Sequence, residues 1–335
     1  MKNLLYIGNA LSSHGNTITS IETLSKKLSA YYKIKTASTK KNKVFRLLDM
    51  MYIVFRNRSW ADMVLIDTYS TLNFYYAFAV SQLCRILGIK YISFLKGGNL
   101  EHRLKNNKFL SKLMFKHAYL LIAPSYFLMD LFEEYGYNKL ICIPNTIEIK
   151  DYDYKEADLD TIRLLWVRSL SKIYNPEMAV EVLDAIIKLG FKAELCMVGP
   201  DKDGSMGRVK NLADSKNVQV KFTGNLTREE WRSLSEKYNI FINTTDFDNT
   251  PVSVMEAMAL GLPVVSTNVG GLPYLIQDHY DGMLVKKADV NGMVLAILNL
   301  YHNPEMARKI SRQARIKVEQ FDWEIIKEQR SEILA

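Results

Sequence analysis

Short apolar runs bounded by polar, Gly or Pro residues alternate along this chain with longer stretches of helical spacing. In the first half the runs are Asn3–Ile7, Met63–Ile66, Tyr91–Leu95, Leu120–Ala123 and Leu140–Ile143. Runs this short, with no polar face, suit strands of a parallel sheet covered on both sides by helices. Helical patterns lie between them, at about 15–31, 43–58, 71–87, 106–117 and 125–135. Strand and helix in alternation predict a doubly wound α/β domain. The stretch Glu148–Thr161 breaks the rhythm, being polar, acidic and aperiodic, and predicts a linker.

Beyond it the alternation restarts. Strands are expected at Leu164–Val167, Glu194–Val198, Val218–Thr223, Ile240–Asn243, Pro263–Ser266 and Met283–Val285. Helices are expected at about 176–189, 227–237, 251–260 and 289–301. The fold class is therefore α/β, with two Rossmann-like domains over 1–150 and 162–320 joined by 151–161. The pattern from Pro304 is helical and breaks near Phe321–Asp322. It predicts a last helix over 321–335 that packs back on the first domain.

A length of 335 residues fits two domains of ordinary size. Net charge is +8, but its distribution changes the picture more than its sum. Residues 1–150 hold 21 Lys plus Arg against 9 Asp plus Glu, a balance of +12, and the remainder is at −4. The first half is thus expected to meet an anionic partner. Cys84, Cys142 and Cys196 lie far apart in apolar surroundings, so they predict neither a disulfide framework nor a metal site. The start MKNLLYIGNA is too soon polar for a signal peptide, and no run approaches the roughly 18 apolar residues of a membrane span. A cytoplasmic protein, at most peripheral at the inner face of the membrane, is expected.

The segment Asn239–Thr267 carries the most chemistry. An apolar strand ends at Asn243, a polar loop follows, and a helix is expected to begin with Pro251 at its first position and to stop at Gly261. A polar loop feeding a helix N-terminus at a strand's carboxyl end is where α/β folds bind anions. Asp248 lies in that loop. Glu256 stands between Val254–Met255 and Ala257–Met258, where a charge needs a partner or a ligand.

This segment resembles the retaining glycosyltransferases of family 4, which have the GT-B fold of two domains facing across a cleft. Their signature is an acid, seven residues and a Glu, then Ala-Met-Ala and Gly-x-Pro-Val-Val. Here it reads Asp248, Glu256, Ala257-Met258-Ala259 and Gly261-Leu262-Pro263-Val264-Val265. Gly270-Gly271-Leu272-Pro273, Asp281-Gly282 and Phe222-Thr223-Gly224 extend the likeness over nearly the whole second domain. It implies a transfer of sugar from a nucleotide-diphosphate sugar to a glycan or lipid-linked acceptor with retention, in cell-surface polysaccharide or glycolipid synthesis. The enzyme would be a hexosyltransferase with no cofactor and no metal.

Residue by residue, the resemblance assigns Glu256 to the ribose and Asp248 to the donor sugar's hydroxyls. Backbone at Asn249, Thr250 and Val252, with the strand-end Gly224, would line the donor. Arg168, at the end of the first strand of that domain, and Lys172 beyond it would neutralise the leaving diphosphate. In the first domain the loops at Gly8, His14-Gly15-Asn16 and Lys96-Gly97-Gly98 would face acceptor and phosphate, with Lys96 where relatives often have His.

Lys40, Lys41 and Lys43 lead into a stretch where Phe45, Leu47, Leu48, Met51, Tyr52 and Phe55 alternate with Arg46, Arg56 and Arg58. A solvated helix face explains part of this pattern, and docking on an anionic membrane surface explains the aromatics as well. Nucleic acid is not expected, because the aromatics form no recognised binding module. Two other readings fit the same fold. A non-catalytic sugar-nucleotide-binding subunit would bind donor without turnover, and a sugar-nucleotide epimerase would convert donor without acceptor.

Overall fold

The computed structural model describes residues 1–14, 19–97 and 99–334, with the side chains of His14 and 330–334 outside that description. The chain divides into two compact units, Met1–Pro144 with Glu328–Ala335, and Asn145–Lys327.

The first unit holds β1 (Asn3–Ile7), β2 (Lys33–Ala37), β3 (Met63–Thr68), β4 (Tyr91–Leu95), β5 (Leu120–Ala123) and β6 (Leu140–Cys142). They form a parallel sheet in the order β2-β1-β3-β4-β5-β6. β3 and β4 are buried along their whole length, which explains their unbroken apolar runs. β2 is absent from the periodicity reading. It is an edge strand whose residues Lys33, Lys35 and Thr36 are exposed, so it has little apolar signal. The helical stretch expected at 106–117 is the helix Lys108–Phe115, and a further short helix, Leu100–Asn106, precedes it across Asn107.

The second unit repeats the plan with β7 (Ile162–Val167), β8 (Ala193–Val198), β9 (Val220–Gly224), β10 (Ile240–Asn243), β11 (Val264–Thr267) and β12 (Met283–Val285), in the order β12-β11-β10-β7-β8-β9. One face of this sheet packs on the helices Pro176–Lys188 and Val290–His302 through Trp166, Leu183 and Ile297, and the other on Val252–Leu260 through Met255 and Met258. The helix Ser205–Ser215 was not expected, since it buries only Ser205, Val209 and Ala213 and is otherwise polar. Glu148–Thr161 contains no strand or α-helix, as its composition predicts. It is nonetheless no free tether, because Tyr152 and Leu159 are buried in the second unit.

Candidate functional site

In the second unit the chain runs from β7 out to β9 on one side and from β10 out to β12 on the other. The carboxyl ends of the strands flanking such a switch leave a crevice where α/β folds take ligands. Arg168 directly follows β7, and the loop after β10 carries Asp248 towards the helix Val252–Leu260. The two side chains meet in an ion pair, Arg168 Nη2 to Asp248 Oδ2, with only 19% and 14% of them exposed. The guanidinium also lies over the Tyr174 ring, 4.4 Å from its centroid, and its Nε has no hydrogen-bond partner among the described residues. An enclosed pair of this kind is costly to desolvate, and the unused Nε donor adds to that cost.

The acidic loop is held from both sides. Asn249 donates its N–H to Asp248 Oδ1 at 2.8 Å. Gly271 donates its own to the carbonyl of Asp248 at 3.0 Å. A Cβ on Gly270 would stand 2.0 Å from Asp248 O, and one on Gly271 2.2 Å from Asn249 O. Only glycine allows backbone to approach backbone this closely, so the Gly-Gly pair acts as a clamp beneath the acidic loop. The turn Lys172–Tyr174 is stitched to the same loop, since Ile173 O accepts from Asp246 N at 2.9 Å and Thr245 Oγ1 at 3.2 Å. Asp203, which the sequence reading did not single out, accepts from Ser171 Oγ and Lys172 N at 2.9 Å each. Hydrogen bonds from Ser205, Lys172 and Ser171 hold its carboxyl down to about 2. The Lys172 side chain itself is exposed.

The helix behind the loop begins one residue later than expected. Pro251 is its cap, in extended conformation at φ −69° and ψ 118°, rather than its first helical residue, and Gly261 ends it at φ +87°. Val252 opens the helix, Asn249 is buried, and Thr250 O accepts from Asn145 Nδ2 at 3.1 Å. Ser253 Oγ is buried without a hydrogen-bond partner among the described residues, another feature with no sequence signal. Glu256 is 5% exposed. Tyr152 Oη donates to its Oε1 at 2.6 Å, and Arg228 Nε lies 3.5 Å from the same oxygen. Burial pushes this carboxyl up, against the Tyr152 hydrogen bond and the charges of Arg228, Arg232 and Arg168. Gly224 ends β9 at φ +73°, its carbonyl accepting from Gly199 N at 2.8 Å. The structure thus joins Arg168 to Asp248 and stacks Asn249 through Glu256 behind them, and it shows what the Gly270-Gly271 pair touches, while Tyr152 and Arg228 enter only from the tertiary fold.

In the first unit, Gly8 follows β1 and exchanges hydrogen bonds of 2.7 Å with Ala37 and Ser38. Lys96 follows β4, its N–H donating to Thr68 O at 2.8 Å and its Nζ lying 5.6 Å from the Phe94 ring centroid. Gly97 follows at φ +88°. The side chain of His14, and Gly15, Asn16 and Gly98, lie outside the described residues. Among the described residues no group of three or more His, Cys, Asp or Glu is placed to hold a metal ion. Nor is any helix among them long and apolar enough to cross a membrane.

A family model for glycosyl transferases group 1 matches residues 150–317, about half of the chain. An uncharacterized glycosyltransferase of Methanocaldococcus jannaschii is 26% identical over 245 residues, 71% of this chain and 66% of that protein. The amylovoran biosynthesis glycosyltransferase of Erwinia amylovora is 28% identical over 198 residues, 56% of this chain and 48% of that protein. The chain therefore spans about half to two thirds of the length of these two relatives. Among solved structures, sucrose-phosphate synthase from Thermosynechococcus elongatus has a TM-score of 0.82 at 15% identity, covering 100% of this chain and 98% of that one. The Anabaena protein HepE in complex with UDP-glucose has a TM-score of 0.79 at 16% identity, covering 100% and 99%. At such identities the likeness is one of fold, and the two-unit α/β architecture expected from the sequence is the one these structures share.

Proposed function

The chain belongs to the group 1 glycosyl transferases, and from that premise we propose that it moves a hexose from a nucleoside-diphosphate sugar to a glycan or lipid-linked acceptor, with retention and without a metal ion. The observation that carries this reading is the Arg168–Asp248 ion pair at the switch between β7 and β10, in front of a helix start and the buried Glu256. A diphosphate arriving there competes with Asp248 for the guanidinium. Its gain leaves the carboxylate to accept the donor sugar's hydroxyls, so one pair serves both ends of the bond that breaks. Charge on the leaving diphosphate is stabilised by Arg168, by Lys172 on the stitched turn, and by the amides of Thr250 and Val252 at the helix start, Pro251 between them having no N–H to give. Glu256, its rotamer held by Tyr152 and Arg228, accepts the ribose hydroxyls. That HepE was solved with UDP-glucose supports a nucleotide-sugar donor. The Erwinia relative's role in amylovoran biosynthesis supports a polysaccharide product.

The first unit takes the acceptor, with Lys96 serving phosphate or acceptor, and sits peripherally on an anionic membrane face of the cytoplasm. Support for the membrane comes from the helix Lys43–Arg56. Val44, Phe45, Leu48, Tyr52 and Phe55 are each more than half exposed, at 66%, 65%, 58%, 57% and 51%. On a helix of 3.6 residues per turn they fall within an arc of roughly 100°, away from the buried Met50 and Val54. Exposed Lys40, Lys41, Lys43, Arg56 and Arg58 flank this stripe. Buried Arg46 fixes the basic turn at its head, donating to Lys40 O and Lys41 O at 2.7 Å each. Apolar side chains ringed by cations suit an anionic bilayer, at about 1 kcal/mol per cation near the surface.

Thermal-shift titration with UDP-, GDP- and ADP-sugars tests the donor reading, since a ligand of the native state raises its melting temperature. No shift with any of them defeats it. Sedimentation with phosphatidylglycerol vesicles tests the membrane reading. Binding at low salt that weakens at high salt and in a Lys40→Glu, Lys41→Glu, Lys43→Glu variant is expected, and protein left in the supernatant at low salt ends it.

A further inference from the structure

The chain between β6 and β7 sends two side chains to the donor helix Val252–Leu260 and its start. Asn145 Nδ2 donates to Thr250 O at 3.1 Å, and Tyr152 Oη donates to Glu256 Oε1 at 2.6 Å. Tyr152 is 3% exposed and shares an apolar core with Trp231, Phe241 and Met255. Its backbone is fixed too, since Arg315 Nη1 donates to Tyr152 O and Ala259 O at 2.6 Å each. Arg232 covers the ring, 5.3 Å from its centroid. A hydroxyl held on such a ring and backbone aims at one place, and that place is Glu256.

Among the described residues Tyr152 supplies the hydrogen bond that Glu256 accepts. The charges that face this carboxyl are cations. Arg228 lies 3.5 Å from Oε1, but its side chain is 63% exposed and screened by water. Arg232 and Arg168 act on it through space, and Arg168 is already engaged by Asp248. From the helix Pro304–Glu319, Arg315 is spent on the two carbonyls, while β10 and β11 carry no ionisable side chain. Burial pushes the Glu256 carboxyl up, and the Tyr152 hydrogen bond is the foremost effect opposing it. Burial and the Glu256 charge in turn push the Tyr152 hydroxyl up, so it keeps its proton to give. Tyr152 and Arg228 both take Oε1, which leaves Oε2 for a ligand.

We propose that Tyr152 is a positioning residue for the donor, keeping Glu256 as a charged and correctly turned carboxylate whose Oε2 takes the ribose. The inference rests on reading Glu256 as the ribose acceptor of a glycosyltransferase. A neutral carboxyl accepts hydroxyls more weakly and brings a proton of its own. In an apolar helix that neutral form is the one burial favours. A charge-assisted hydrogen bond from a buried phenol shifts the balance back towards the carboxylate. Tyr152 itself makes no contact with the donor.

The test follows UDP affinity of the full chain and of Tyr152→Phe by isothermal titration, from about pH 5.5 to about pH 9. Without the hydroxyl, Glu256 takes up its proton at higher pH. Above that range both proteins hold the carboxylate and should bind UDP alike. Below it the variant should bind about tenfold more weakly, the scale of one hydrogen bond to a charged group. Titration of the UDP phosphate is common to both proteins and cancels in the ratio. A ratio that is the same at every pH makes Tyr152 a packing residue and overturns the proposal. In a Glu256→Gln background the ratio should lose its slope, and a slope that survives there overturns the proposal as well. If Tyr152→Phe does not fold, 3-fluorotyrosine in place of Tyr152 serves instead. A more acidic phenol is a stronger donor, so affinity should then hold to lower pH, and an unmoved profile overturns the proposal. Failure of UDP to bind the unaltered chain at any pH defeats the glycosyltransferase reading itself, an outcome distinct from a flat ratio.

Discussion

Both sheets turn back on themselves in the same way, and the side chains at the two turning points are opposites. Between β7 and β10 a cation and an anion face each other, with a second carboxylate behind them that is partnered by Tyr152 and Arg228. Between β1 and β3 the Asp67 carboxylate lies buried, with one oxygen unpartnered among the described residues and Gly8 against it. The topology decides where a ligand can sit in each unit, and the local charges decide which kind. A pair that can exchange partners suits a ligand with a charged end and a hydroxylated end. The crevice between β7 and β10 is also braced by the Gly270–Gly271 clamp and the turn at Lys172.

The comparison is broken most decisively at Arg168. Arg168→Ala should lower turnover by a factor on the order of a hundred, as removal of one charge-stabilising group does elsewhere. EDTA should leave the unaltered enzyme unchanged, and strict dependence on a divalent ion in steady-state assays would remove the need for the pair. Next in size, Glu256→Ala should weaken UDP binding by about 10- to 100-fold, the worth of charge-assisted hydrogen bonds to the ribose. It should also cost about 1–3 kcal/mol of stability, because the Tyr152 hydroxyl loses its buried acceptor. Isothermal titration and denaturant melts read the two effects separately.

A finer distinction lies within the pair. Asp248→Ala should reduce turnover more than it reduces affinity for bare UDP, while Arg168→Ala reduces both. A double-mutant cycle on stability should give a coupling of about 0.5–3 kcal/mol. Equal loss of UDP affinity in the two single variants would contradict their division of labour. The smallest effect is expected in the first unit, as a gain. The Asp67 carboxyl is raised from 3.8 to about 6 in the fold. Its ionisation therefore costs stability above pH 6, and the cost fades as pH falls towards the unfolded value. Asp67→Asn should stabilise the protein by about 1–3 kcal/mol above pH 6 and by almost nothing below pH 4. Melting curves across that range should converge on the acid side, and curves that diverge there would show the sign to be wrong.

Much of this was legible along the chain. All eleven strands expected from apolar runs begin within two residues of their observed starts, because buried parallel strands must be apolar on both faces and so announce themselves. Glu256 stood out because a charge inside an all-apolar helix demands an explanation, and Asp248 because its loop feeds that helix. The edge strand β2 and the helix Ser205–Ser215 escaped because each buries too few side chains to leave a period. Tyr152 escaped because it lies in an acidic, aperiodic stretch where one tyrosine resembles another.

What the sequence by itself determined was the alternation, and with it the fold class and the loops in which polar residues meet strand ends. Those properties depend on neighbours in the chain, and short-range spacing records them. What only the tertiary structure decided was which of those loops meet. Arg168 and Asp248 are eighty residues apart in sequence and touch because β7 and β10 lie side by side. Tyr152 reaches Glu256 because its stretch folds into the second unit's core. Asp67 was an ordinary acid at the end of an apolar run until burial took away the water that would have satisfied its second oxygen. Partnership across long sequence separations depends on packing, and no local pattern of residues encodes it.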